Sequence, residues 1–269
     1  MKSKINVKLL HATPLWVSST AIRTCRDNHH ASDSVPYSKD GEVIHHNYPE
    51  CLNVTDSIFD TIELGTKDSK LIDNIANKFK HESTVEHINF NFYISNLPRN
   101  VLQELARHRI ASYTVKSSRY TLNELKKVKS FFHNDSDDLY TPTEDTLLDI
   151  YMDKELASKY VYLIGDEVVD SATIRGLEAL RLVVKSGVSM DKAKFCMPEA
   201  YLTELTFSIN ARSLKNLLNL RLHKDALFAI QELGHALLDA IPEEYRFLVT
   251  SIEDDDIEDD TNYIGEEEW

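Results

Sequence analysis

The strongest constraint on the fold is a strict alternation of apolar and polar side chains over residues 88–94. Successive side chains of a β-strand point to opposite faces, so this pattern predicts a strand. Its apolar positions are Ile88, Phe90, Phe92 and Ile94, and its intervening polar positions are Asn89, Asn91 and Tyr93. A second strand is predicted over residues 199–210, and its candidate core residues are Leu202, Leu205, Phe207 and Ile209.

Helical patterns account for much of the remaining chain. Only seven Gly and seven Pro occur in 269 residues, which favours long regular elements, mostly helices. Pro98 is expected to open a helix at its first turn, and a strand is expected over residues 4–10. Asp68 or Ser69 is expected to cap the helix at 68–81. Further helices are predicted at residues 15–26, 122–127, 189–194, 210–221 and 225–238.

Two segments are harder to interpret from pattern alone. Residues 117–121 are interpreted as a strand or tight turn, and residues 128–133 (VKSFFH) as a short strand. Pro142 is expected to open a long helical region that breaks near Gly165 and ends at residues 185–187. Its apolar stripe, expected in the core or at a subunit interface, includes Leu147, Ile150, Tyr151, Leu156, Tyr160 and Leu163.

The acidic charge is concentrated at the carboxyl end. The net charge is −14, and residues 253–269 hold ten acidic side chains and no Lys or Arg, which leaves −4 on the rest. We expect one domain over residues 1–250 and a solvated, disordered tail over residues 251–269. The mildly acidic body argues against nucleic-acid binding.

A polar segment at residues 27–55 is interpreted as a long surface loop or lid. It contains two histidine pairs, but adjacent side chains in an extended chain point to opposite faces and no tight ligand spacing is present. A metal site is therefore not predicted. The pairs are His29 and His30, and His45 and His46.

Cysteine usage and the absence of long apolar runs indicate a cytoplasmic protein. Cys25, Cys51 and Cys196 are odd in number and widely spaced, so they predict buried reduced thiols and no disulfide framework or zinc site. The sequence contains no run of about 18 apolar residues, so no transmembrane helix is predicted. The first residues lack a signal-peptide core.

The stretch RHRIASYTVKSSRY, residues 107–120, concentrates five potential cations and six hydroxyls in fourteen residues. Cations at the end of the preceding helix suit its dipole, but this explains one cation and not the whole cluster. Anionic or strongly polar partners are required. Arg212 and Asn216 share a face of the predicted helix at 210–221, whereas Arg221 lies half a turn away, so one ligand is not expected to contact both arginines.

The pattern RHR, seven residues and Ser, from Arg107 to Ser117, resembles the signature of flavin-dependent thymidylate synthases. The blocks AIRTC (residues 21–25), HESTVEH (81–87) and NARSLKNLLNLR (210–221) resemble further family blocks in order and spacing. The resemblance covers residues 5–250. It implies an α+β fold, a mixed α/β domain with a central sheet flanked by long helices, and a homotetramer with sites between subunits.

The resemblance also implies synthesis of dTMP from dUMP. The one-carbon donor is 5,10-methylenetetrahydrofolate, and the hydride carrier is FAD reduced by NADPH. Carried over by position, the FAD-binding residues are Ser83, Arg107, His108, Arg109, Asn210, Ala211, Arg212 and Asn216. The dUMP-binding residues are Glu104, Leu105, Ala106, Arg107, Val115, Lys116, Ser117, Ser118, Arg119, Lys194 and Arg221. Arg221 is the expected catalytic residue, because a guanidinium beside the uracil ring stabilises negative charge.

Three positions depart from the usual family pattern. Val115 stands where a Glu is common, Glu104 stands where Gln is usual, and Lys194 stands where an Arg often binds the nucleotide. A lysine keeps the charge but lacks the planar fork of arginine. Three alternatives remain at this level: an RNA- or nucleotide-binding module that uses the Arg cluster without chemistry, a metal-dependent hydrolase that uses the histidine pairs, and an inactive family member.

Overall fold

The computed structural model describes residues 2–25, 27–37, 61–132 and 152–250. The strands are β1 (Asn6–Ala12), β2 (Val35–Tyr37), β3 (Thr61–Glu63), β4 (Asn89–Pro98), β5 (Ala111–Val115) and β6 (Leu202–Asn210). The α-helices are α1 (Trp16–Thr24), α2 (Thr66–Asp73), α3 (Arg99–Leu105), α4 (Ser118–Thr121), α5 (Lys154–Ala157), α6 (Glu167–Lys185), α7 (Met190–Ala193), α8 (Ala211–Arg221) and α9 (Phe228–Ala240). A π-helical turn, Asn74–Lys78, extends α2, and 3-10 helices form at His29–Ala31, Glu82–His87, Leu122–Lys127, Lys194–Cys196 and Glu243–Leu248.

A four-stranded antiparallel sheet with the order β1-β4-β6-β5 forms the centre of the fold. Helices and this sheet together make an α+β fold, as expected. Strands β2 and β3 pair in a separate two-stranded sheet. The strand predictions for residues 88–94 and 199–210 are confirmed, and the predicted helix at 210–221 is α8.

The alternating apolar residues of β4 and β6 bury one face of the central sheet. Phe90 and Phe92 have no solvent exposure, and the rings of Phe92 and Phe207 stack at 6.3 Å between centroids. Buried residues of α8 and α9 complete this core, among them Leu214, Leu217, Leu218, Leu233 and Leu237. The aromatic layer stabilises the fold by removing large apolar surfaces from water.

A second hydrophobic cluster lies around α6. Its buried residues come from α6, from the 3-10 helix Leu122–Lys127 and from the chain near Val161, and they include Leu125, Phe131, Val161, Ile174, Leu177 and Leu180. The ion pair between Arg181 and Glu178 is buried beside it, and the Glu178 carboxylate also accepts from the backbone N–H of Phe131 at 3.1 Å. This pairing satisfies charges that would otherwise be costly to bury.

The structure differs from three of the secondary-structure predictions. Residues 117–121 are not a strand or turn, because Ser117 is the N-cap of the short helix α4, which begins at Ser118. A strand is predicted over residues 128–133, but among the described residues 128–132 only Phe132 forms a bridge, to Met152. Residues 160–163 were placed in a long helix, yet Val161 forms an antiparallel bridge with Tyr201. Tertiary contacts decide these short apolar segments, since their periodicity is ambiguous.

The break expected near Gly165 is present, and α6 ends at Lys185 as predicted. Gly165 has a φ of 90°, a left-handed conformation that favours glycine. The Asp170 carboxylate accepts from the backbone N–H groups of Ile164 and Gly165, at 2.8 and 3.0 Å. These bonds hold the chain in the turn before α6.

Asp68 does not cap α2, contrary to the prediction. The cap position is Gly65, and the carboxylate of Asp33 accepts from the backbone N–H groups of Lys67 and Asp68, at 2.9 and 3.0 Å. Asp68 is instead fully buried and forms an ion pair with Arg23 of α1. Its second oxygen accepts from two hydroxyls at 2.6 Å each, those of Ser32 and Ser34.

The substitution Asp68→Ala is expected to lower the free energy of unfolding by about 3–5 kcal/mol, because Arg23 would remain buried without its counter-ion. Chemical denaturation at a fixed protein concentration measures this loss. The matched control is Glu167→Ala, which removes an exposed pair with Lys154 at 3.8 Å and is expected to cost less than about 1 kcal/mol. Equal losses in the two variants would contradict the assigned role of Asp68.

Several expectations lie outside the described residues. These are the tail at 251–269, residues 38–55 of the loop segment with His45, His46 and Cys51, and the helical positions Pro142, Leu147, Ile150 and Tyr151. Cys25 and Cys196 are exposed free thiols, so their predicted burial is wrong. In the described ranges, no helix combines the length and apolar character needed to cross a membrane. Nor do these ranges contain a cluster of His, Cys, Asp or Glu suited to a metal ion.

Candidate active site

A cavity of about 960 Å³ opens beside α8, between the segment that follows α3 and the 3-10 helix Glu82–His87. Sites for small molecules and cofactors fall within this size range. Three stretches of sequence line it: Glu82 and Glu86; Arg107, His108, Arg109 and Ile110; and Asn210, Arg212, Ser213, Lys215, Asn216, Asn219, Leu220 and Arg221. The cavity therefore joins the segment around Arg107 to the predicted ligand-binding helix.

Positive charge dominates this cavity. Five Arg or Lys side chains and two Glu side chains line it, an excess of three positive charges. Arg109 has no ion-pair partner among the described residues, and the Arg107 guanidinium, 72% exposed, lies 3.5 Å from Glu104. Both guanidiniums are available to an anionic ligand, to which arginine can offer a planar pair of N–H donors.

The start of α8 positions Arg212 at one end of the cavity. Asn210 caps the helix, because its Oδ1 accepts from the backbone N–H of Ser213 at 2.8 Å. The half-exposed Arg212 forms ion pairs with Glu86 at 2.6 Å and with Glu82 at 3.5 Å. Exposed ion pairs of this kind contribute little stability, so Arg212 can exchange them for contacts with a ligand.

Arg221, the last residue of α8, is held at the other end of the cavity. Its Nε donates to Nε2 of His108 at 2.9 Å, its Nη1 lies 3.0 Å from Oε2 of Glu104, and its Nη2 donates to the backbone carbonyl of Glu104 at 3.2 Å. The side chain is only 16% exposed. Three acceptors from one short segment therefore fix the guanidinium.

His108 lies between two arginines and is buried. Burial, followed by the charges of Arg221 and Arg107, lowers the pKa of His108 below its ordinary value of 6.5, while Glu104 acts in the opposite direction. The phenol of Tyr113 donates to the backbone carbonyl of His108 at 2.6 Å, and burial raises the pKa of Tyr113 to about 12. The imidazole is thus neutral at pH 7. The backbone carbonyl of His108 is held by a hydrogen bond from a phenol that stays protonated.

Arg212 and Arg221, which are not expected to contact one and the same ligand, both line one cavity. They lie half a turn apart around α8, and their Cα atoms are separated by about 14 Å along the helix axis. Arg212 lies on the exposed side near the start of α8, whereas Arg221 points inward at its end. A long ligand, or two ligands in contact, can reach both ends.

Comparison with known proteins decides the family. A family model described as thymidylate synthase complementing protein (Thy1) matches residues 8–245. A flavin-dependent thymidylate synthase of Campylobacter jejuni (strain RM1221) is 40% identical over 254 residues, which cover 94% of this chain and 100% of the relative. The chain belongs to the flavin-dependent thymidylate synthase family.

Other members agree in sequence and in structure. The enzyme of Helicobacter pylori (strain J99) is 42% identical over 239 residues, covering 88% of this chain and 94% of the relative. A crystal structure of flavin-dependent thymidylate synthase from Helicobacter pylori complexed with FAD and dUMP superposes with a TM-score of 0.68 at 40% identity. It covers 91% of this chain and 97% of that chain. The resemblance inferred from residues 107–120 is confirmed.

Within this family fold, most of the residues carried over by position fall into two groups. The first group lies in or beside the cavity and contains Glu104, Arg107, His108, Arg109, Asn210, Arg212, Asn216 and Arg221. The second group does not contribute to the lining of that cavity and contains Val115, Lys116, Ser117, Ser118, Arg119 and Lys194. The cavity of the described chain is therefore lined by only part of the expected nucleotide contacts.

The second group is organised by partners distant in sequence. Arg119 of α4 pairs with Asp191 of α7 at 2.8 Å, which brings α4 next to the helix that precedes Lys194. Lys116 lies 2.9 Å from Glu204, whose carboxylate also accepts from the phenol of Tyr93. Lys116 is thus directed to Glu204 of β6.

Some expected site residues have buried side chains or do not line the cavity. Leu105 and Ala211 are fully buried, and Ser118 is nearly so. Ser83 is exposed but does not line the cavity, although Glu82 and Glu86 beside it do. Sequence reasoning missed several residues of the lining, because nothing in their local pattern signals a ligand: Ile110, Ser213, Lys215, Asn219 and Leu220.

Proposed function

We propose that this protein makes dTMP from dUMP by reductive methylation. In this proposal 5,10-methylenetetrahydrofolate is the one-carbon donor, and FAD reduced by NADPH is the hydride carrier. The observation that carries it is the cavity in which residues 107–109 meet α8 in a chain of this family. The family member crystallised with FAD and dUMP supports the same two ligands.

The residues of the cavity fit an elongated dianionic cofactor such as FAD. The excess of positive charge suits a pyrophosphate, and Arg107, Arg109 and Arg212 are the residues we assign to it. Asn216 lies four residues after Arg212, on the same face of α8. FAD, when bound, would supply the hydride. The protein would bind the cofactor and align its reacting atom with the substrate.

Arg221 is the residue we assign to the uracil ring. A guanidinium fixed by three hydrogen bonds can stabilise the negative charge that develops as N3 of the ring loses its proton. This charge activates C5 for attack on the methylene group. The reaction requires no activated cysteine, and the exposed Cys25 and Cys196 have no assigned role in it.

We also propose a homotetramer in which each nucleotide site is completed by two chains. Only the first of the two groups of expected nucleotide residues lines the cavity, and apolar side chains are exposed beside each group. Ile110 and Leu220, 72% and 55% exposed, belong to the cavity, and Tyr120 and Phe195, 78% and 93% exposed, lie beside the second group. Contact between copies of the chain would remove these surfaces from water.

The test is one assay on the purified full-length protein. It is expected to be yellow, or to become so with added FAD, and to release tritium from C5-labelled dUMP only when both methylenetetrahydrofolate and NADPH are present. Omission of each component in turn provides the controls. Protein that cannot be reconstituted with FAD, or flavin-loaded protein without tritium release, would contradict the proposed function.

A further inference from the structure

We infer that Glu104 and His108 are positioning residues for Arg221, and that neutral His108 with its proton on Nδ1 is required for this role. The expected effect on turnover rests on the proposed function. The geometry behind the inference is independent of any reaction, because it concerns hydrogen bonds within one chain.

The acceptors that hold Arg221 surround its guanidinium on three nitrogens. His108 accepts from Nε, the Glu104 carboxylate from Nη1, and the Glu104 backbone carbonyl from Nη2. A guanidinium carries five N–H groups, so three are used and two are left for a planar ligand. The two acceptor residues therefore decide which edge of Arg221 a ligand meets.

The contact with His108 determines the protonation state of the imidazole. An arginine N–H can only donate, so Nε2 of His108 must offer a lone pair, and the proton of the neutral ring must be on Nδ1. Protonation at Nε2 would replace the bond by two opposed donors and like charges. The charged groups that face the ring are Arg221, Arg107 and Glu104, and the two arginines disfavour the imidazolium.

Glu104 has a further effect, because it links two arginines. Its Oε2 lies 3.0 Å from Nη1 of Arg221 and 3.5 Å from Nη1 of Arg107. The carboxylate therefore lowers the repulsion between the two cations and holds them near the same end of the cavity. A neutral side chain with one suitably placed oxygen can keep the contact with Arg221 but not the charge compensation.

Paired variants test the role in turnover. His108→Gln keeps an acceptor near the position of Nε2, whereas His108→Ala removes it; Glu104→Gln and Glu104→Ala form the second pair. We expect each glutamine variant to keep a kcat at least about tenfold above that of the alanine variant at the same position. The alanine variants are expected to lose about 10²-fold in kcat, since a catalytic group displaced by about 1 Å can cost that much. The KM for dUMP should change less than kcat in both alanine variants.

The pH profile separates positioning from mere packing. Because the pKa of His108 lies below 6.5, wild-type kcat is expected to fall only as the pH decreases below that value. His108→Gln cannot be protonated and should lose this acid-side decrease. Alanine variants with wild-type kcat, or an unchanged acid-side decrease in His108→Gln, would overturn the inference.

A measurement without substrate keeps the inference separate from the proposed function. In ¹⁵N-labelled wild-type protein at pH 7.5, His108 should show the neutral Nδ1–H tautomer, and Nε–H of Arg221 should be protected from exchange. That protection should be lost in His108→Ala and retained in His108→Gln. The opposite tautomer or an unprotected Nε–H would reject the positioning role, whereas absence of dTMP synthesis with these signals present would reject only the function.

Discussion

Replacing Arg221 by alanine is expected to lower kcat for dTMP formation by about 10²–10³-fold or more, the usual cost of removing one preorganised donor to developing negative charge. FAD is expected to stay bound. Arg221 lies at the inner end of the cavity, about 14 Å along α8 from Arg212, where we place the flavin pyrophosphate. Tritium release measures the reaction, and the ratio of flavin to protein absorbance measures the cofactor.

Two matched variants sharpen this prediction. Arg212→Ala is expected to show the reverse behaviour, with flavin lost from the purified protein and activity partly restored by excess FAD. Arg221→Lys keeps the positive charge but not the planar fork that contacts Glu104 and His108, so it should remain well below wild type. Loss of flavin from Arg221→Ala, or wild-type turnover by Arg221→Lys, would contradict the role assigned to this guanidinium.

Mixing two inactive variants is expected to restore activity. In the proposed site, one chain supplies Arg221 and another supplies Arg119, so Arg221→Ala and Arg119→Ala damage different halves. If equal amounts of the two variant chains assemble at random, about one quarter of the sites would receive both an intact Arg221 and an intact Arg119. Co-expression with two different tags and purification through both provides mixed oligomers, and tritium release per flavin measures the recovered fraction.

The choice of partners in the mixture provides the control. Arg221→Ala combined with Glu104→Ala places both changes in the same half, because Glu104 contacts Arg221 within one chain. This mixture should stay as inactive as either variant alone, since no chain in it carries both Arg221 and Glu104. Equal activity in the two mixtures, or no recovery with Arg119→Ala in proven mixed oligomers, would rule out a site shared between chains.

Local patterns predicted the elements that are both long and periodic. The alternation at residues 88–94 and the Leu spacing at 210–221 correspond to β4 and α8, because burial of one face is encoded in neighbouring positions. The family signature at Arg107 to Ser117 likewise needs only local residues. The signature indicates the flavin-dependent thymidylate synthase family without any information on tertiary contacts, and the family model agrees.

Short and polar segments escaped the same reasoning. Strand β5 was not predicted, since the sequence ASYTV lies inside a stretch dominated by cations and hydroxyls. It forms because β6 offers an open edge, on which Thr114 pairs with Thr206 and Val115 with Leu205. The predicted strand at residues 128–133 shows the converse error, because the apolar side chains of the described residues 128–132 enter the cluster around α6 without forming a ladder. Pairing of this kind depends on tertiary context.

The sequence by itself determined the family, the central strands and the helix that carries Arg212 and Arg221. Tertiary structure alone decided that Asp33, and not Asp68, caps α2, and that Glu104 and His108 hold Arg221. The physical reason is distance along the chain: periodicity records which face of an element is buried, but not which side chain meets it. His108 and Arg221 are 113 residues apart, and only the tertiary fold places the end of α8 near enough to the segment after α3 for them to form a hydrogen bond.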